Sequence, residues 1–477
     1  MDLSPLRCLA GGALAAATFL TGCGGSPLTP DDSTLLHADS DGGFRPIRAE
    51  PAVGERADRE GGTLPVLDEE ATLEDYLRYA ALNNPGLEAQ FNAWKAAVER
   101  VPQVRALPDP RFTYGYYIGE VETRVGPMQH SLALSQRFPW FGKLQDREDA
   151  AARNAAAAFH RFEAAQLELF VRVERAYNEL YYLKRSIDIT SDNIELVQQI
   201  ERVVRARYRV AAASHPDLIK VQVELAKLED RLRQLRDLEA PRRAQLNAAL
   251  NRTSDASLPW PTTVDDRINE REFSDLLEEL RQRNPDLHAL EEEIERERIN
   301  AEIAREDGLP DFTLGLAWTL VGDRDDVSIP ENGDDAVLGT LSINIPLWRD
   351  KYEAGVREAL ARRLAVANRR LERVNRLTAD LQQALFDHRD GRRRIELYDE
   401  TLIPKAVESF EASLAAFEQG EADFLDLLDT ERTLLEFQLA LERARVDQAT
   451  ARARIEQLIG VGLSESGSTP SPEEANP

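Results

Sequence analysis

Apolar residues follow two different rhythms along this chain. At Phe112, Tyr114, Tyr116 and Ile118 they fall on alternate positions, with Thr113, Gly115 and Gly119 between them. That period gives a strand one apolar face. A return strand is expected over Gln129 to Phe138, where Leu132 and Leu134 alternate with Ala133 and Ser135. Pro139 removes a backbone donor and ends the pairing. The design recurs at Phe312, Leu314, Leu316, Trp318 and Leu320, interleaved with Thr313, Gly315, Ala317 and Thr319. Its return strand is expected over Ala336 to Ile345, with Pro346 behind it. Each strand spans roughly nine or ten residues, the length a tilted strand needs to cross a bilayer core. A soluble sheet that packs its apolar face on helices shows the same alternation.

The second rhythm is helical. From Lys143 the chain is charged and alanine-rich, with no breaker until about Ser214. Phe170, Val173, Tyr177, Leu180, Ile187, Ile194, Val197, Val204 and Tyr208 follow heptad steps, and Leu218, Val221, Leu225, Leu228, Leu232 and Leu235 continue them after a turn at Ser214-His215-Pro216. A continuous helix of roughly 70 residues would be about 105 Å long, a rod rather than part of a compact domain. A second hairpin runs from Leu364, Leu371, Leu381 and Leu385 to a turn at Gln419-Gly420, and back through Leu427, Leu434, Leu441 and Ile455. Pro404 is expected to kink it.

The two rhythms occur twice in the same order. Asn84-Pro85 returns as Asn284-Pro285, and Phe112-Thr113-Tyr114-Gly115 returns at the same offset as Phe312-Thr313-Leu314-Gly315. Such self-similarity predicts two structural repeats, over 67–265 and 266–463, each with a leading helix (Leu73 to Arg105; Phe273 to Arg305), a strand pair and a long helical hairpin. The Gly-, Pro- and Asp-rich stretch 23–66 reads as a flexible linker, and 464–477 as a disordered tail.

Charge and chemistry narrow the function. The 477 residues carry a formal net charge of −26, which argues against nucleic acid as a partner. No zinc-protease, phosphate-loop or nucleophile-elbow motif is present, so no catalytic residue and no enzyme activity is expected. The six histidines are scattered, and neither a metal site nor a cofactor is expected. At the start, Cys8 to Leu20 is apolar but too short to span a bilayer, so 1–22 reads as a signal peptide. It ends in Leu20-Thr21-Gly22-Cys23, which resembles a lipobox and makes Cys23 the candidate for lipid attachment. Gly24 after the cysteine fits sorting to the outer membrane by that resemblance. Asp323, Asp325, Asp326, Glu331, Asp334 and Asp335 form an acidic loop within the second strand pair, read as solvated.

Taken in order, the lipobox, the duplicated halves, the strand-proline-helix junctions and the turns at Ala211 to Asp217 and Phe417 to Asp429 resemble the outer membrane factor (TolC-like) family of tripartite efflux systems. The similarity covers about Leu73 to Leu463. The stretch SQRFPWFGKL is most similar to the heavy-metal, CusC- and CzcC-like branch. The resemblance implies a mainly α fold with a membrane β part: long coiled-coil hairpins and four transmembrane strands per protomer. Three copies would build a twelve-stranded barrel above an α-helical tunnel. It also implies a homotrimer in outer membrane lipid, with the helices in the periplasm, working with a periplasmic adaptor protein and an inner-membrane pump of the RND type as a passive exit duct. By the same resemblance Asp426 and Asp429, with Asp217 at the matching turn, would line the periplasmic aperture. Phe417 stands where the family has a tyrosine and Ala422 where it has an arginine, which leaves its salt-bridged latch without its usual partners. A periplasmic adaptor or a coiled-coil scaffold lipoprotein would also use helical hairpins, but one hairpin among β domains in the first case and no apolar strand pairs in the second.

Overall fold

The computed structural model describes residues 64–210, 213–265, 271–324 and 330–461. The expected signal peptide, Cys23, most of the expected linker, the expected tail, and Asp325 and Asp326 of the acidic loop lie outside them.

The leading helices are where sequence and structure differ first. Instead of one run from Leu73 to Arg105 there are α1 (Leu73–Asn83), α2 (Pro85–Val98) and a short α3 (Arg100–Arg105). Pro85 is the cause. Its ring pushes Asn84 out of the helical region, to φ −77 and ψ 121, and its missing N–H suits the first position of a new helix. Asn84 then caps α2 by accepting from the N–H groups of Gly86 and Leu87, while its Nδ2 donates to the Ala249 carbonyl at 2.9 Å. The second half repeats the device. Asn284 separates α7 (Phe273–Arg283) from α8 (Pro285–Glu306), caps α8 through Asp286 and Leu287, and donates to the Leu458 carbonyl at 2.9 Å.

The strands β1 (Arg111–Thr123), β2 (Gly126–Phe138), β3 (Phe312–Val321) and β4 (Ala336–Ile343) form one antiparallel sheet in the order β1-β2-β3-β4. The first pair is longer than expected, 13 residues in each strand. β4 is shorter, with 8; just past it the Asn344 side-chain oxygen accepts from the Asp311 N–H, while the Asn344 N–H still donates to the Asp311 carbonyl at 3.3 Å. The register aligns the apolar positions across all four strands: Tyr114 opposes Leu132, Leu132 opposes Trp318, and Trp318 opposes Val337. The opposite face is built from small and polar residues, as in the row Ser135, Gly315 and Thr340.

The helical part follows the heptads. α4 (Lys143–Arg209) is a single helix of 67 residues, which at 1.5 Å per residue is about 100 Å long. α5 (His215–Asp237) returns along it, and α6 (Glu239–Ala249) ends beside α1. In the second half α9 (Arg349–Leu397) passes through a π-helical turn (Tyr398–Leu402) into α10 (Ile403–Gln419), and α11 (Phe424–Ile459) returns. Pro404 lies just past that turn, after Ile403, and its missing N–H accounts for the local shift of the ladder to π-helical bonding. Buried apolar residues gather in separate clusters. One, around Tyr76, Val173 and Leu246, joins α1, α4 and α6. Another, around Val197, Phe424 and Leu427, joins α4, α5, α10 and α11. A third, around Leu280, Leu381 and Ile455, joins α7, α9 and α11.

Candidate functional site

Two surfaces carry the chemistry: the outer face of the sheet and the turns at the far ends of the helices. On the sheet, Phe112, Tyr114, Tyr116, Ile118, Leu314, Leu316, Trp318, Val337, Leu341 and Ile343 are all exposed, Ile118 at 95%. Among the described residues no helix packs extensively on either face. The described helices therefore leave the apolar face of the sheet uncovered within one copy. Below the strands the apolar band continues through Phe141, Ile345, Leu347 and Trp348, each at least 71% exposed.

The sheet is tied to the helices by one carboxylate. Asp311, just before β3, is 6% exposed, and its Oδ1 accepts from Lys143 Nζ at 2.9 Å and from the Trp140 N–H at 3.1 Å. Its Oδ2 accepts from the Arg137 guanidinium. Burial opposes the charged form, but Lys143, Arg137 and the Trp140 N–H outweigh it and hold the pKa down at about 2. Lys143 is itself buried. The proline junction therefore places the end of β2 and the start of α4 on the start of β3. Sequence reading found the junction but not its partner, because 168 residues separate Lys143 from Asp311.

At the other end the two helical turns meet. Arg207, near the end of α4, lies over the Phe417 ring at 4.7 Å and donates to the Phe417 carbonyl. Gly420 makes this approach possible. Its φ of +82 suits glycine, and a Cβ there would stand 3.2 Å from the Arg207 guanidinium. Arg207 thus links the hairpins at the position where the latch residues of the resembled family are replaced. A basic residue near the end of α4 was the only sequence signal for it.

The three expected aperture residues are placed differently. Asp426 and Asp429 are exposed on one face of the first turns of α11, beside Leu425, while Phe424 and Leu427 on the opposite side are buried. The Asp426 charge sits in the first turn, at the positive end of the helix dipole. Asp217 reaches the same end of the molecule but forms a capping box for α5: its carboxylate accepts from Ser214 Oγ at 2.5 Å and from the Ser214 N–H at 3.2 Å. Lys220 stands 3.7 Å from it. Cys23 lies outside the described residues. In the acidic loop Asp335 accepts from Trp318 Nε1 at 2.8 Å, and Glu331 pairs with Arg124 at 2.6 Å. These two carboxylates brace the loop against the strands.

Comparison with known proteins agrees with this geometry. The sequence pattern of a family described as "Outer membrane efflux protein" matches residues 77–252 and 276–461. The cobalt-zinc-cadmium resistance protein CzcC of Cupriavidus metallidurans is 22% identical over 401 residues, covering 83% of this chain and 93% of that one. The outer membrane protein TolC of Vibrio cholerae is 23% identical over 419 residues, covering 81% and 90%. The solved structure of the outer-membrane channel OprN superimposes with a TM-score of 0.70 at 18% identity, over 82% of this chain and 90% of that one.

Proposed function

This chain belongs to the outer membrane efflux protein family, and we propose that three copies of it form the passive exit duct of a tripartite system that expels heavy-metal cations. The family consists of outer membrane channels and not of enzymes. In the proposed assembly an inner-membrane pump of the RND type supplies the energy, a periplasmic adaptor bridges pump and duct, and Cys23 carries the lipid anchor.

The observation that carries the reading is the uncovered apolar face of the sheet. A row such as Tyr114, Leu132, Trp318 and Val337 belongs in hydrocarbon. An open sheet cannot stay there, because β1 and β4 each present an unpaired edge, and unsatisfied backbone groups in lipid cost several kcal/mol each. Pairing β1 of one copy with β4 of the next removes both edges, and a closed ring of three copies gives twelve strands. The exposed Leu360, Leu364 and Leu371 of α9 supply an apolar stripe for the same neighbour. The similarity to CzcC along nearly its whole length supports cobalt, zinc and cadmium as cargo.

Growth of a deletion strain tests the cargo. Tolerance to zinc, cobalt and cadmium should fall, and return with the wild-type gene, while tolerance to a panel of organic drugs stays unchanged. Loss of drug tolerance alone would assign the duct to organic compounds.

A further inference from the structure

Between α4 and α11 runs a polar seam, and its composition changes along its length. Far from the turns its charged groups are paired, although the amide of Asn178, buried among them, has no hydrogen-bond partner. Arg452 donates to Glu174 at 2.8 Å and to Glu456 at 2.6 Å, and Tyr181 and Arg185 donate to Glu442 at 3.0 and 3.1 Å. Toward the turns, beyond Arg185, no ion pair joins α4 to α11 among the described residues. Ser186, Thr190 and Asn193 step along one face of α4 and are buried, and Ser186 Oγ, Thr190 Oγ1 and Asn193 Oδ1 have no hydrogen-bond partner. Opposite Asn193, Glu431 of α11 is 0% exposed, and neither of its carboxylate oxygens forms a well-aligned hydrogen bond.

We propose that Glu431 is a proton-binding site that sets how firmly the first turns of α11 are held against α4. Protonated, its carboxyl fits the seam. Ionised, it draws water between the helices and loosens the turns that carry Asp426 and Asp429.

The surroundings favour the neutral form. From α4 only the neutral Asn193 faces the carboxyl; from α5 comes a second acid, Glu224. Arg432, the next residue of α11, directs its guanidinium to Glu224 instead. α10 contributes Phe410, Leu414 and Phe417 to the adjoining cluster, and none of these carries charge. α9 and the π-turn meet α11 further along, where Arg394 pairs with Asp447 and Asp399 with Arg445. Burial thus pushes the Glu431 pKa up, to about 7, with Glu224 adding to it and Asn193 and Arg432 opposing. Because the group is already covered within one protomer, assembly can only bury it further. A pKa above the ordinary glutamate value means that the packed seam is favoured at acid pH and weakened as pH rises through about 7.

Hydrogen exchange of the detergent-solubilised full-length protein tests this, with rates corrected for the intrinsic pH dependence of exchange. Between about pH 5.5 and about pH 8.5, protection of amides around Leu427 to Leu435 should fall about tenfold or more. Glu431→Gln should keep acid-type protection at both values. Glu174→Gln, at the paired end of the seam, should leave the step in place. Asn193→Ala removes an opposing dipole and should move the step to higher pH, which keeps the test decisive if Glu431→Gln does not assemble. Equal wild-type protection at both pH values would overturn the proposal, as would a step that survives Glu431→Gln or ignores Asn193→Ala.

Discussion

Asp311 shows how much one side chain can hold in this fold. It gathers Lys143, Arg137 and the Trp140 N–H at the join between sheet and helices, and its side chain and that of Lys143 are 8% and 4% exposed. Asp311→Ala would leave the Lys143 ammonium buried without its counter-charge. Breaking such a pair costs about 3–5 kcal/mol, so the variant should unfold at clearly lower denaturant in an equilibrium titration. The pH dependence has a definite sign. A carboxylate held near a pKa of about 2 stabilises the fold above its ordinary pKa, and that contribution is lost as pH falls through about 2. Wild type and variant should therefore converge in strong acid. Neither Asp311 nor Glu431 was picked out from the sequence. Asp311 has partners far away along the chain. Glu431 did leave a signal, since it occupies a seam position between Leu427 and Leu434 in a heptad otherwise read as apolar. The exposed Asp426 and Asp429 were legible because their spacing after Gly420 sets a helix face, whereas the capping role of Asp217 needed the position of Ser214.

Elements were the most legible scale. The strand pairs, both long hairpins and the effect of Pro404 follow from periodicity and proline chemistry. The break at each Asn-Pro pair was readable too, because proline constrains the residue before it, yet continuous apolar spacing hid it. What periodicity cannot reveal is how closely two helices approach. Gly391 in α9 crosses α11 so tightly that a Cβ would lie 2.9 Å from Gln448 Cβ and 3.1 Å from its Cα. In an exposed helix Gly→Ala stabilises by up to about 1 kcal/mol. Here Gly391→Ala should instead destabilise by about 1–3 kcal/mol, because backbone must move to admit the methyl. Thermal melts of the two proteins in the same detergent decide the sign, and a raised melting temperature would mean that α9 and α11 separate easily.

At the scale of the whole molecule, the sequence indicated a membrane surface through alternation and an assembly through the resemblance of its ordered motifs. It could not show that no described helix packs extensively on the sheet, which is a statement about packing. The proposed assembly would also give the turns a role. Threefold symmetry would bring the exposed Asp426 and Asp429 of each copy round one axis as rings of negative charge, which favour cations. Asp426→Ala with Asp429→Ala should reduce cation preference, read as a smaller reversal potential in a salt gradient, and relieve block by multivalent cations. Stability should change by less than about 0.5 kcal/mol, as for most surface substitutions. Unchanged selectivity and block would leave these carboxylates as solvated surface and make Asp217 the next residue to replace.

The central claim is that this sheet closes only with its copies and then conducts. Purified protein in mild detergent, sized by native mass spectrometry and then added to a planar bilayer, tests it most directly. A trimer with discrete, stepwise conductance is expected. A monodisperse monomer that inserts without conducting, or does not insert at all, would contradict it.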